Sequence, residues 1–281
     1  MRLRIWGCRG SLATPGRATL RYGGNTSCVE VRADDGSLLV FDAGTGIRQL
    51  GQALSQNRPK TIHLLLTHLH LDHIEGLGFF AALHDPECEI HLYGPAAAGR
   101  SLRDRIAGYL SPPYYPLVFD TLAARFSFHE VERDTWEIGG LRVRSAPVAH
   151  PGATVGYRIE ENGRSFAFVP DNEPALNGPL GEQPDGTLSG LAVAGGVDLL
   201  FHDAQYTAEE YTSRVGWGHS SIPDFTAFVQ RADPARVLMF HHDPAHSDSD
   251  VEAMHADARQ LAGAAGERIE IAHEGLELEL R

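Results

Sequence analysis

The run Thr67-His68-Leu69-His70-Leu71-Asp72-His73 follows directly on the apolar stretch Ile62-His63-Leu64-Leu65-Leu66. It sets four side chains able to bind a metal within six residues, at the end of what reads as a buried strand. His68 and His70 are two apart, so in an extended turn their rings point to one side and can share an ion. Asp72 and His73 come where the chain is expected to turn into a helix over 74–83, and so face a second position nearby. Imidazole together with carboxylate suits zinc, manganese or iron better than calcium or magnesium alone. The bland alternative is a histidine-rich surface loop.

One strand end cannot complete two metal sites, and later strand ends offer more ligands. His150 follows the expected strand Leu141–Pro147 and precedes Pro151-Gly152. Asp171 follows Phe166–Val169, and His241 and His242 follow Val237–Phe240. Each polar residue ends an apolar strand, so all can converge on one sheet edge.

The elements that must bring these ends together are short strands alternating with helices. Leu3–Ile5, Ser27–Arg32 and Leu38–Phe41 read as strands, with Asp34-Asp35-Gly36 as a hairpin turn. Ile47–Gln56 reads as a helix, Thr61–Leu66 as a strand, 74–83 as a helix and Glu87–Tyr93 as a strand. Pro95–Leu110 is expected to be helical, ending in the rigid loop Ser111-Pro112-Pro113-Tyr114-Tyr115-Pro116. The second half repeats the style, with strands at 126–131, 141–147, 154–160, 165–169, 198–201, 236–240, 268–271 and 276–280. Helices are expected at 207–214, at 223–232 and from a Ser249/Glu252 capping box to about Ala262. Residues 172–196 read as a long loop. Two comparable halves of this kind predict a four-layer α/β sandwich.

At 281 residues and 42% hydrophobic, one domain can bury the core, with the helix and proline loop around 95–117 as an insertion. Basic residues number 24 against 37 acidic, a net charge of −13. No long nucleic acid is therefore expected as partner, though a small anionic substrate stays open because bound cations dominate the local field. Cys8, Cys28 and Cys88 form neither a disulfide framework nor a zinc motif. The sequence shows no apolar leader and no membrane-length stretch. A cytoplasmic protein without membrane partners is expected, with a homodimer as the assembly considered.

In its order, HxHxDH followed by a later His, a later Asp and a later His resembles the metallo-β-lactamase fold superfamily of binuclear metallohydrolases. The resemblance runs from Arg2 to about Ser247. It implies a four-layer αββα sandwich and two divalent transition-metal ions, zinc or manganese, with iron as a further candidate. By it, His68, His70 and His150 would bind one ion and Asp72, His73 and His241 the other, with Asp171 as the bridge. Asp42, in Asp-Ala-Gly-Thr-Gly, matches the aspartate that supports the HxHxDH loop from behind. His241 is chosen over His242 because strand neighbours point to opposite sides and His241 comes first after the apolar run. Val169-Pro170-Asp171-Asn172 departs from the commoner Gly-Asp-Thr but keeps the carboxylate.

Asp72 points to two metals and phosphoester-type hydrolysis rather than to a cysteine-containing second site. Phe201-His202-Asp203-Ala204 and Gly216-Trp217-Gly218-His219-Ser220-Ser221 resemble paired elements of the RNase Z-like phosphodiesterases. That likeness implies Asp203 as an orienting carboxylate and His219 as the catalytic histidine. The same stretch also reads as a helix start capped by Ser220 or Ser221. Trp6–Ser11 and Tyr22–Cys28 look like the subgroup acting on cyclic nucleotides or related small phosphodiesters, or equally like tight hairpin turns. The expected function is hydrolysis of a small phosphodiester by hydroxide held between two metals, with Asp72, Asp203 and His219 as catalytic residues. A thioester or lactone hydrolase, a ribonuclease and a metal-binding sensor are the alternatives. Tyr114 and Tyr115 either stack on a base or pack on their own prolines. His63, His84, His91, His129, His246, His255 and His273 lack partners at ligand spacing, and His202 is expected to be buried behind the site.

Overall fold

The computed structural model describes residues 1–281, and its strands divide by chain half into two sheets. The first half supplies β1 (Arg2–Gly7), β2 (Cys28–Arg32), β3 (Leu38–Phe41), β4 (Thr61–Leu65), β5 (Glu89–Pro95) and β6 (Arg125–Val131). The second supplies β7 (Thr135–Ile138), β8 (Leu141–Pro147), β9 (Val155–Glu161), β10 (Arg164–Val169), β11 (Leu199–Asp203), β12 (Arg236–Phe240) and β13 (Ile269–Ile271). The last strand, β14 (Glu277–Glu279), returns to pair with β1, giving orders β14-β1-β2-β3-β4-β5-β6 and β13-β12-β11-β10-β9-β8-β7.

Strand alternation builds the layers. On β10, Phe166 and Phe168 face the other sheet, whereas Ala167 and Val169 face helices. The inter-sheet core is aromatic: Phe41 packs edge-on against Phe166 at 5.5 Å, and Phe168 against Phe240 at 5.5 Å. Of the helices α1 (Ile47–Leu54), α2 (Leu71–Ile74), α3 (Leu102–Tyr109), α4 (Leu191–Ala194), α5 (Ala208–Tyr211), α6 (Ile222–Ala232) and α7 (Asp248–Ala262), α1 and α3 cover the first sheet. The second is covered by α4, α6 and α7, which completes an αββα sandwich. Strands β10 to β13 run parallel, and two antiparallel pairings make β8 run with β10. The carboxyl ends of β8, β10, β11 and β12 therefore emerge at one edge, where sheets of this kind gather ligand-binding groups.

Five local expectations change, the first being that the loop expected over 172–196 carries the helix α4 at Leu191–Ala194. No single helix spans 74–83: α2 ends at Ile74 and two 3₁₀ turns follow, at Leu77–Phe79 and Ala81–His84. Backbone bonds to a distant segment replace helical ones, since the Ala43 N–H donates to His73 O and the Gly76 N–H to Ala43 O. The helix expected from Pro95 starts only at Leu102, because Pro95 continues β5 opposite Val131 and Ser101 caps the helix by accepting from the Asp104 N–H. The cap of α7 is Ser247 with Asp250, two residues before the expected pair; Asp248 is occupied by the Arg21 amide. The short strand β7, unread in the sequence, pairs with β8.

His63, His91 and His129 meet across β4, β5 and β6. The first two rings stack at 4.9 Å, and His91 Nδ1 lies 3.2 Å from His129 Nε2. Burial, joined by repulsion from His91 and His129 and opposed by Glu89, lowers the His63 pKa to about 4. The unfolded chain takes up this proton near 6.5. Stability from this position is thus complete above that value and is lost as the pH falls towards 4. His63→Phe keeps the stacking and removes the titration. Its urea midpoint should fall less than the parent's between about pH 7 and about pH 5, and equal falls would refute the assignment.

Candidate metal centre

The HxHxDH loop is held by one aspartate. Asp42 ends β3 in a left-handed conformation, φ 57°, and its N–H donates to Leu65 O. Its Oδ1 accepts from the Thr67 N–H at 2.8 Å, while Oδ2 accepts from the Ser27 hydroxyl at 2.9 Å and lies 2.7 Å from His73 Nδ1. Both ends of the loop are thereby tied to a neighbouring strand, and Nε2 of His73 is left facing inward.

Two groups of side chains meet at this edge. His68, His70 and His150 form one, with His70 Nδ1 and His150 Nε2 3.0 Å apart. Asp72, His73 and His241 form the other, with His241 Nε2 3.2 Å from Asp72 Oδ2 and 3.3 Å from His73 Nε2. Asp171 stands between them. Its Oδ1 is 3.1 Å from His73 Nε2 and 3.4 Å from His241 Nε2. Its Oδ2 is 3.8 Å from His68 Nε2 and 3.7 Å from His150 Nε2. The two oxygens of one carboxylate thus address different groups.

This donor set fits divalent transition cations. His68 Nε2 and Asp171 Oδ1 are buried and lack any hydrogen-bond partner, an expensive condition unless a cation accepts their lone pairs. Burial and the neighbouring imidazoles push His68 well below its ordinary pKa, so it offers a free lone pair. Burial opposes ionisation of Asp171, but His241, His73, His68 and His150 outweigh it and hold the carboxyl well below the carboxylate range.

His219 borders the centre. Its Nδ1 is 2.8 Å from Asp203 Oδ2, and its ring stacks on His241 at 5.0 Å. Asp203, at the end of β11, also accepts from the Asn172 N–H on Oδ2 and from the Gln205 and Ser220 N–H groups on Oδ1. Four donors fix this buried carboxylate. Burial disfavours a charged His219, yet the charge and hydrogen bond of Asp203, with Asp171 and Asp72 beyond, raise its pKa. Capping is done separately: Ser221 accepts from the Asp224 N–H at the start of α6.

All the singled-out ligand candidates and the His219–Asp203 pair come together here. His242 does not, since its Nε2 lies 3.0 Å from Ala272 O, directed away from the cluster. His202 lies behind Asp203, stacked on Phe228. The Tyr115 hydroxyl donates to Gly78 O at 2.8 Å and its ring packs against the core beneath α1 and α3, while Tyr114 is 79% exposed. Two contributors escaped the sequence. Gln205 Oε1 lies 2.8 Å from His241 Nδ1, and the Ser11 N–H donates to Asp72 Oδ2 at 2.7 Å. The Trp6–Ser11 segment is a close approach rather than a hairpin turn: a Cβ on Gly10 would sit 2.3 Å from His241 Nδ1. Nothing local marks Gln205, whose partner is 36 positions away.

A family model described as a β-lactamase superfamily domain matches residues 38–242. In sequence the chain is similar to a ribonuclease Z of Haloferax volcanii, at 25% identity over 86% of this chain and 84% of that one. In structure it is similar to a diphosphatase of the PhnP family, with TM-score 0.70 and 22% identity, covering 100% of this chain and 98% of that one. It is also similar to Zn²⁺-bound PqqB from Methylobacterium extorquens, with TM-score 0.70 and 21% identity over 100% of both chains. The structural likenesses speak to the fold alone.

Proposed function

The chain belongs to the β-lactamase superfamily as a metal-dependent hydrolase, and from that premise we propose that it is a two-metal phosphodiesterase acting on cyclic nucleotides or other small phosphodiesters. The observation that carries this reading is the His219–Asp203 pair set against a carboxylate whose two oxygens address different histidine groups. His68, His70 and His150 would hold one divalent cation, Asp72, His73 and His241 the other, and Asp171 both. Bound there, such ions would make hydroxide available at neutral pH and neutralise charge on phosphoryl oxygens. Zinc and manganese suit the donors, and so does iron.

The chain's own part is orientation and proton transfer. Asp42 and Gln205 fix the rings of His73 and His241 from behind, so that each keeps Nε2 for the centre. Asp203 holds Nδ1 of His219, leaving Nε2 for the departing oxygen. A raised pKa suits His219 to carry the proton that this oxygen needs. Asp72, steadied by the Ser11 amide, would help hold the second cation.

The similarity to a ribonuclease Z favours a second reading, RNA processing. Net charge opposes it, and Arg103 and Arg105 in α3 are already paired with Asp120 and Glu130. Metal-replete protein should turn over bis-aryl phosphate and cyclic mononucleotides with little dependence on salt. Cleavage of short RNA that falls steeply with salt, without turnover of small diesters, would favour the ribonuclease instead.

A further inference from the structure

Glu173 lies two residues beyond Asp171 and is only 1% exposed. Its Oε1 accepts from the Gly216 N–H at 2.7 Å and from the Tyr211 hydroxyl at 2.8 Å, and its Oε2 accepts from the Gly218 N–H at 2.7 Å. All three donors are uncharged. A buried carboxylate is costly unless such bonds are short and complete, as these are. The turn it grips is the one that leads into His219.

The opposite side of this turn meets a member of the first histidine group. His150 Nδ1 lies 2.9 Å from Gly218 O, so a proton on Nδ1 is held by that carbonyl and Nε2 is freed toward His70 and Asp171. Contact is so close that a Cβ on Gly218, whose φ is +92°, would stand 2.2 Å from His150 Nδ1. The backbone N–H of Glu173 also donates to the oxygen of Ala149, the residue before His150. One residue therefore bonds to both segments that deliver His150 and His219.

We infer that Glu173 is a positioning residue that locks the Gly216–Gly218 turn and through it orients His150 and His219. The inference rests on the roles proposed above for those two histidines. Glutamine cannot replace it, because its single acceptor oxygen leaves an NH₂ group facing an amide N–H of the turn. Freed from the carboxylate, the Gly218 carbonyl no longer fixes the His150 ring. Loss of such an outer partner typically weakens metal affinity or activity about 10–100-fold.

The test compares the parent protein with E173Q, E173D and L50A, the last a core variant in α1, on the sheet opposite to the one that carries Glu173. Metal affinity is read by chelator competition, site geometry by the visible absorption of the Co²⁺-loaded protein, and kcat and KM on bis-aryl phosphate. E173Q should bind its ions about 10–100-fold more weakly, with an altered spectrum and a fall in kcat that exceeds any change in KM. E173D should lie between E173Q and the parent, and L50A should keep the parent's affinity and spectrum despite a lower Tm. Parent-like affinity and spectrum in E173Q, whatever its Tm, would overturn the inference; if E173Q does not fold, the same result in E173D would do so. Equal changes in L50A would also overturn it, as an effect of general destabilisation. Affinity and spectrum need no turnover. A protein that binds its ions and hydrolyses no phosphodiester would therefore refute the proposed function while still testing Glu173.

Discussion

Asp171→Asn is expected to leave fewer than two divalent ions on each chain and to lower kcat by about 10³-fold or more. The geometry makes this the most severe single substitution. Each oxygen of Asp171 faces a different histidine group, and no other carboxylate of the cluster is so placed. An amide keeps one acceptor oxygen and turns an NH₂ group toward the other set of ring nitrogens, so at least one ion loses an anionic ligand. In the proposed reaction that loss would remove several kcal/mol of charge stabilisation at the phosphoryl oxygens, and each 1.36 kcal/mol is tenfold in rate. Metal analysis of the dialysed protein alongside steady-state kinetics checks it. Two ions per chain at parental affinity would sink the bridging role.

His219→Ala should behave differently, lowering kcat by about 10²–10⁴-fold while the metal content stays at the parent level. His219 stacks on His241 and borders the centre, yet its Nδ1 is committed to Asp203 rather than to the ring of ligand candidates. Its removal would take away the proposed proton donor and leave the two groups of ligand candidates intact. A loss of metal equal to the loss of rate would make His219 a ligand instead, and unchanged turnover would remove it from the reaction. Asp203→Asn should reproduce most of the kinetic loss. It should also lower Tm, because Asp203 accepts backbone amides on both oxygens and the NH₂ group of asparagine cannot accept from those it faces.

Much of this site was legible in the chain because strand-end chemistry is local. A polar residue just after an apolar run leaves the strand at its carboxyl end, and the HxHxDH spacing marks the loop where this happens. The order of His150, Asp171 and His241 along the chain then outlines the set. Helix limits were less legible where a distant backbone competed for hydrogen bonds. The 74–83 segment reads as one helix, but Gly76 and Gly78 weaken it and Ala43 takes the bonds that would have continued α2. The histidine row on β4, β5 and β6 was likewise hidden, since each member is isolated in sequence and they meet only through parallel register.

By itself, then, the sequence determined the layered architecture, the residue types at the centre and the loop from which the centre is built. Periodicity and strand-end position are properties of neighbouring residues, and a single chain displays them. Only the tertiary structure decided which oxygen of Asp171 faces which group, that the Ser11 amide bonds to Asp72 and the Gln205 carbonyl to His241, and that Glu173 grips the turn before His219. Those facts depend on which oxygen or ring nitrogen meets which partner. That is set by sheet register and by hydrogen bonds between segments far apart in the chain, where spacing carries no information.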